Sequence, residues 1–234
     1  MTSARDQVLG SIRRSLKRGP LDETKRAALE KRLENPPRGP EPARARLDHA
    51  DQVDLFVTQA EEVAATVDRV DELGAVPEAL TRYLKDQNLP AHVRMAPNPL
   101  LAELAWDEQP LLTIETGIAQ ASDEVSLTGA FAGVAETGTL MLLSGPQGPV
   151  TLNFLPDNHV VVLKASQIVG PYEDAWARLR AAQANGTLPR TVNFITGPSR
   201  TADIEQTIQL GAHGPRRLHI ILVEDGDGDG EAAP

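Results

Sequence analysis

Cysteine is absent from the 234 residues, and that absence removes three kinds of chemistry at once. Without it this chain can build no disulfide framework, no thiolate zinc site and no iron–sulfur cluster held by its own sulfur ligands. A redox centre working with it must therefore belong to a partner. Aromatic residues make up only 3%, too few for the stacking platforms that hold single-stranded nucleic acid. The formal net charge of -10 repels a phosphate backbone as well. Apolar runs of the roughly 20 residues that span a bilayer are missing, and Arg5, Arg13 and Arg14 precede no apolar signal segment. These absences predict a cytoplasmic protein whose partners include neither nucleic acid nor membrane.

What is present is ordinary globular material, 41% apolar and 24% charged, in a length suited to one full-sized domain plus a helical extension. Val8, Leu9, Ile12 and Leu16 recur at helical spacing between Ala4 and Lys17, and a second helix follows Asp22 and stops at Asn35-Pro36-Pro37. The prolines of Pro36–Pro42 read as a semi-rigid spacer. The organisation expected is a helical arm over 1–35, a Pro-rich linker over 36–50, an α/β domain over 51–224 and an acidic disordered tail over 225–234. The arm either docks on its own domain or clasps a partner subunit.

From Asp51 the positions Val53, Phe56, Ala60, Val63, Val67 and Val70 predict one long helix, and Pro77 opens a shorter one through Leu84. Strands are expected at His92–Met95, Leu111–Glu115, Val125–Leu127, Leu140–Leu143, Val160–Leu163, Val192–Thr196 and Leu218–Val223, with a helix over Tyr172–Ala184. A further helix is expected from Ser199 to Leu210. Strands alternating with helices imply a mostly parallel sheet covered by helices on both faces.

Three places carry candidate chemistry. Glu136 sits in a Gly/Thr turn with Gly129, Gly133, Gly138, Thr137 and Thr139, where it is a general base, a nucleophile or a ligand-orienting acceptor. The bland alternative is that the glycines serve close packing and the threonines donate to Glu136. Ser199, Arg200 and Thr201, followed by Asp203 and Glu205, suit either an anion site at a helix start or an ordinary helix cap. His159 and His213, each placed in a turn, are the candidate proton carriers, whereas His49, His92 and His219 read as ordinary. No metal site is expected. Asp225-Gly226-Asp227-Gly228-Asp229-Gly230 matches half of a calcium loop but lacks the distant glutamate, so it reads as a solvated tail.

Ala135-Glu136-Thr137-Gly138-Thr139, Leu155-Pro156 with His159-Val160, Gly197 through Glu205, and Gly211-Ala212-His213-Gly214-Pro215 together resemble the lactate-utilisation protein C family, the LUD domain. The resemblance runs from about residue 110 to Val223. It implies a three-layer α/β domain related to the sugar-phosphate isomerase and coenzyme A transferase folds. It also implies membership of a system that oxidises L-lactate to pyruvate, in which cysteine-rich partner subunits carry iron–sulfur clusters and this chain carries no cofactor. One departure is Gly148-Pro149-Val150-Thr151, a loop in which members of that family often have arginine. The resulting expectation is an accessory subunit that binds a small anionic ligand, with Glu136, His159, Arg200, Asp203 and His213 lining one crevice at the strand C-termini. The alternative is a stand-alone acyl or coenzyme A transferase, or a sugar-phosphate isomerase-like enzyme, acting through Glu136.

Overall fold

A computed structural model describes residues 3–17, 19–183, 186–201 and 209–225. The chain separates into two compact units, Met1–Pro40 and Glu41–Pro234. In the first, α1 (Ala4–Ser15) is capped by the Ser3 hydroxyl and α2 (Glu23–Glu34) by Asp22, whose carboxylate accepts from the Lys25 N–H. Neither helix buries a residue. The second unit begins before the helical periodicity does: Ala45 is buried, and its carbonyl lies 2.1 Å from where a Cβ on Gly170 would stand.

The second unit opens with α3 (His49–Glu62), capped by Asp48. The long helix expected through Val70 stops early, because Ala64 takes φ 65 and turns the chain back. Thr66, Val67 and Val70 then form β1 (Thr66–Val70), a parallel neighbour of the final strand. β-branched residues tolerate either period, and here pairing prevails over helical spacing.

After α4 (Val76–Asp86) come β2 (His92–Met95), the short α5 (Pro99–Ala102) and β3 (Thr113–Thr116). β4 (Val125–Gly129), β5 (Ala132–Val134), β6 (Thr139–Leu143) and α6 (Thr151–Phe154) follow. Next are β7 (Asn158–Lys164), β8 (Ile168–Val169), α7 (Tyr172–Ala182) and β9 (Val192–Ile195). β10 (Arg200–Thr201), β11 (Gln209–Leu210) and β12 (Arg217–Val223) end the described chain.

Six strands form one parallel sheet in the order β1-β12-β7-β4-β2-β3. A second sheet, β8-β5-β6-β9, mixes parallel and antiparallel pairs. Val125, Leu127, Val160, Val162, Ile221 and Val223 face α4, where Leu80, Tyr83 and Leu84 cover them. On the opposite face Val161, Leu163, Ile220 and Leu222 meet Val53, Phe56 and Ala60 of α3 together with Leu140 and Ile168 of the second sheet. Helices alone were expected there. The far side of the second sheet packs on Ala175 and Leu179 of α7. Among the described residues no helix is long and apolar enough to cross a membrane.

Candidate functional site

The Glu136 turn is shaped by α3. Gly133, Gly138, Gly170 and Gly197 would each drive a Cβ into, respectively, Phe56, the Gln59–Ala60 backbone, Gln52 and Val63. Those contacts recur along one face of α3. At Gly138 the conflict is severe: φ is 62, and a Cβ would stand 2.2 Å from the Ala60 nitrogen. Gly133 and Gly138 thus serve close approach of the second sheet to a helix. Gly129 is different, meeting only the Asn98 amide at 3.2 Å.

The threonines bond to one another. Thr139 Oγ1 lies 2.7 Å from Thr137 Oγ1 and 2.6 Å from Thr196 Oγ1, and the Tyr172 hydroxyl joins both Thr137 and Thr139 at 2.9 Å. The half-buried Glu136 takes no side-chain hydrogen bond from them; its backbone N–H donates to the Gly170 carbonyl. Among the described residues its carboxylate has no hydrogen-bond or ion-pair partner.

Arg200 does not open a helix. Arg200 and Thr201 form β10, paired antiparallel with Gln209 and Leu210 of β11. Asp203, like the rest of the expected helix over 202–208, lies outside the described residues. The exposed Arg200 guanidinium donates at 2.7 Å to the Val63 carbonyl at the end of α3. Among the described residues no carboxylate pairs with it. Glu136 and Arg200 thus belong to segments that both rest on the last turn of α3, joined through the Thr139–Thr196 contact.

Ser199 extends this band. Its N–H donates to the Pro215 carbonyl, and its hydroxyl accepts from the backbone N–H of the exposed His213 at 3.2 Å. Gly214 packs between Ser199 and Phe154. The loop from Gly211 leads into Arg217, where β12 begins, so the band lies at the N-terminal edge of the parallel sheet. The expected place, the strand C-termini, is corrected. At those C-termini a cavity of about 240 Å³ is lined by His49, Asp54, Arg69, Glu224 and Asp225. Its arginine already holds Asp54 and Glu224, which leaves no cation for an anion.

His159 stands apart from the band and from the turn in which the sequence placed it. It is the second residue of β7, paired in register with Ser126 of β4 and Leu218 of β12. Its exposure is 1%, Nε2 lies 2.8 Å from Thr128 Oγ1, and Nδ1 has no partner among the described residues. Burial pulls its pKa down to about 3, so the ring is neutral near pH 7. A ring so placed is a poor proton carrier for a solvent-facing ligand. His219, read as ordinary, is also buried, stacks on Tyr83 at 3.8 Å and touches Thr66 Oγ1.

Residues that the sequence reading passed over include Tyr172 and Thr196 in the hydroxyl cluster, and Arg94. Arg94 forks onto the buried Asp123 at 2.9 and 3.2 Å and also reaches Glu115. Each lacks a local motif and meets its partners only through the tertiary fold. Among the described residues no group of three His, Asp or Glu side chains is arranged to hold a metal.

Residues 53–223 match the model of the LUD domain. The lactate utilization protein C of Bacillus subtilis is 37% identical over 102 residues, 43% of this chain and 42% of that protein. The protein of the same name from Halalkalibacterium halodurans is 37% identical over 103 residues, 44% of this chain and 45% of that protein. The aligned part thus spans less than half the length of these relatives. The crystal structure of a DUF162 family protein from Deinococcus radiodurans superposes with a TM-score of 0.54 at 24% identity, covering 76% of this chain and 99% of that one. At that identity the likeness concerns the fold, and the family follows from the domain match: this chain belongs to the LUD domain family.

Proposed function

We propose that this chain serves lactate utilisation as an accessory subunit that holds a small carboxylate, pyruvate or L-lactate, at the band between the Glu136 turn and Arg200. The observation that carries the reading is an exposed guanidinium with no carboxylate partner among the described residues, on a segment that Thr196 ties to a cluster of hydroxyls. Such a fork matches a carboxylate in two parallel hydrogen bonds. Ser199, His213, Thr137 and Thr139 supply further donors along the band, and the names of the relatives support the metabolic setting. Electron transfer falls to cysteine-rich partners carrying iron–sulfur clusters, since this chain has no thiolate to hold one.

Calorimetric titration of the full chain with pyruvate and with L-lactate tests the binding role. Binding should weaken about tenfold or more in Arg200→Ala, the size of one charge-assisted contact. Equal heats from wild type and variant would remove Arg200 from the site. Co-purification from the native cell tests the accessory role, which requires cluster-bearing proteins to come down with the chain.

A second reading rests on the Glu136 side chain, which takes no hydrogen bond from the described residues around it. A carboxylate left open in this way suits a nucleophile toward a thioester or a base toward a sugar phosphate. That reading requires turnover by the chain alone, lost in Glu136→Gln.

A further inference from the structure

The two units differ in charge as well as in packing. Met1–Pro40 carries ten basic and five acidic residues, whereas the rest of the chain carries 13 against 28. Among its described residues the first unit has no buried core of its own: Val8 and Ile12 on α1 and Leu16 just past its end stand 49% to 59% exposed, and Leu29 and Leu33 are 49% and 82% exposed on α2. A helical pair with an apolar stripe and a basic surround gains stability only when another surface covers it.

The second unit holds a surface of matching character. β3 is the open edge of the six-stranded sheet, with its unpaired backbone groups available to a neighbour. Leu111 before it and Ile118 after it are 85% and 64% exposed. Glu103, Asp107, Glu108 and Glu115 are exposed around them, and Arg94, the sole basic residue from 86 to 163, is committed to Asp123 and Glu115.

We propose that the helical arm of one copy of this chain covers the β3 edge of a second copy, forming a reciprocal dimer. Apolar residues meet Leu111 and Ile118, and the basic surround meets the acidic rim. Two features favour a second copy over the other occupants. The prolines from Pro36 to Pro42 make a spacer of roughly 3 Å per residue, which gives the arm the reach to a second copy. An anionic lipid surface would attract the arm but repel the rest of the chain.

Sedimentation equilibrium of the full chain should show a dimer that weakens as salt is raised from 50 to 500 mM. The variant Ile12→Asp/Leu16→Asp on the arm and the variant Leu111→Asp/Ile118→Asp on the edge should each weaken it about tenfold or more. Mixing those two variants should restore a heterodimer through the one remaining pairing of intact arm with intact edge. Circular dichroism of each variant checks that the second unit stays folded. A monomeric wild type at about 100 μM would overturn the proposal, as would a dimer indifferent to both variants. Recovery of the wild type on anionic vesicles in place of dimerisation would also overturn it. None of these readings depends on the lactate assignment.

Discussion

Thr139 Oγ1 stands 2.6 Å from Thr196 Oγ1, and this contact ties the Glu136 turn to the segment that carries Arg200. Thr139 is fully buried. Thr139→Val keeps the shape and removes the hydroxyl on which Thr137, Thr196 and Tyr172 converge. The expected loss is about 1–3 kcal/mol in urea unfolding. The double variant with Thr196→Val should lose less than the sum of the two single changes, because both remove the same contact.

Gly138 bears a heavier constraint. Its positive φ and the 2.2 Å approach to the Ala60 nitrogen leave no place for a methyl group. Gly138→Ala should cost more than about 2 kcal/mol, combining backbone strain with displacement of α3. Gly74→Ala, where a Cβ meets nothing closer than 3.9 Å, should change stability by about 0.5 kcal/mol or less. Chemical denaturation of both variants gives the comparison.

Acidification should destabilise the fold before the carboxylates titrate. His159 and His219 have pKa values lowered by burial, from 6.5 to about 3 and about 4. The unfolded chain therefore takes up their protons first. The stability held by the neutral rings is full above pH 6.5, falls as the pH drops below that value, and is gone below the folded-state values. Each ring contributes a slope of about 1.4 kcal/mol per pH unit inside its window. Asp123, held low chiefly by its hydrogen bond from Arg94, adds to the loss at lower pH. His219→Phe, which keeps the stack on Tyr83, should flatten the slope between pH 6 and 4.5 by about one proton.

Much of the parallel sheet could be read from local pattern. His92–Met95 matches β2 residue for residue, and Val160–Leu163 lies inside β7. The second sheet was largely hidden, because β5 and β8 are three and two residues long and owe their existence to partners far along the chain. His159 misled for a related reason: the preceding Pro156-Asp157 signals a turn, and only the pairing of β7 with β4 and β12 shows that the ring is interior. Arg200 is singled out by its neighbours Gly197 and Ser199, yet Arg200 and Thr201 pair with Gln209 and Leu210, and the rest of the helix expected there lies outside the described residues. The glycines around Glu136 carried two meanings at once. Their spacing fits a ligand loop, while in the fold Gly138 meets α3, Gly133 meets Phe56 of α3 together with Leu163 and Ile168, and Gly129 meets Asn98.

The central claim is that the Glu136 turn and Arg200 form one binding place for a small carboxylate. Amide chemical shifts followed while pyruvate or L-lactate is titrated into the full, isotopically labelled chain test it most directly. Residues Glu136–Thr139, Thr196–Arg200 and Ala60–Val63 should shift together with a single dissociation constant, and Arg200→Ala should raise that constant about tenfold or more. Shifts confined to the cavity around His49 and Arg69, or no shifts in any of the three segments at millimolar ligand, would contradict it.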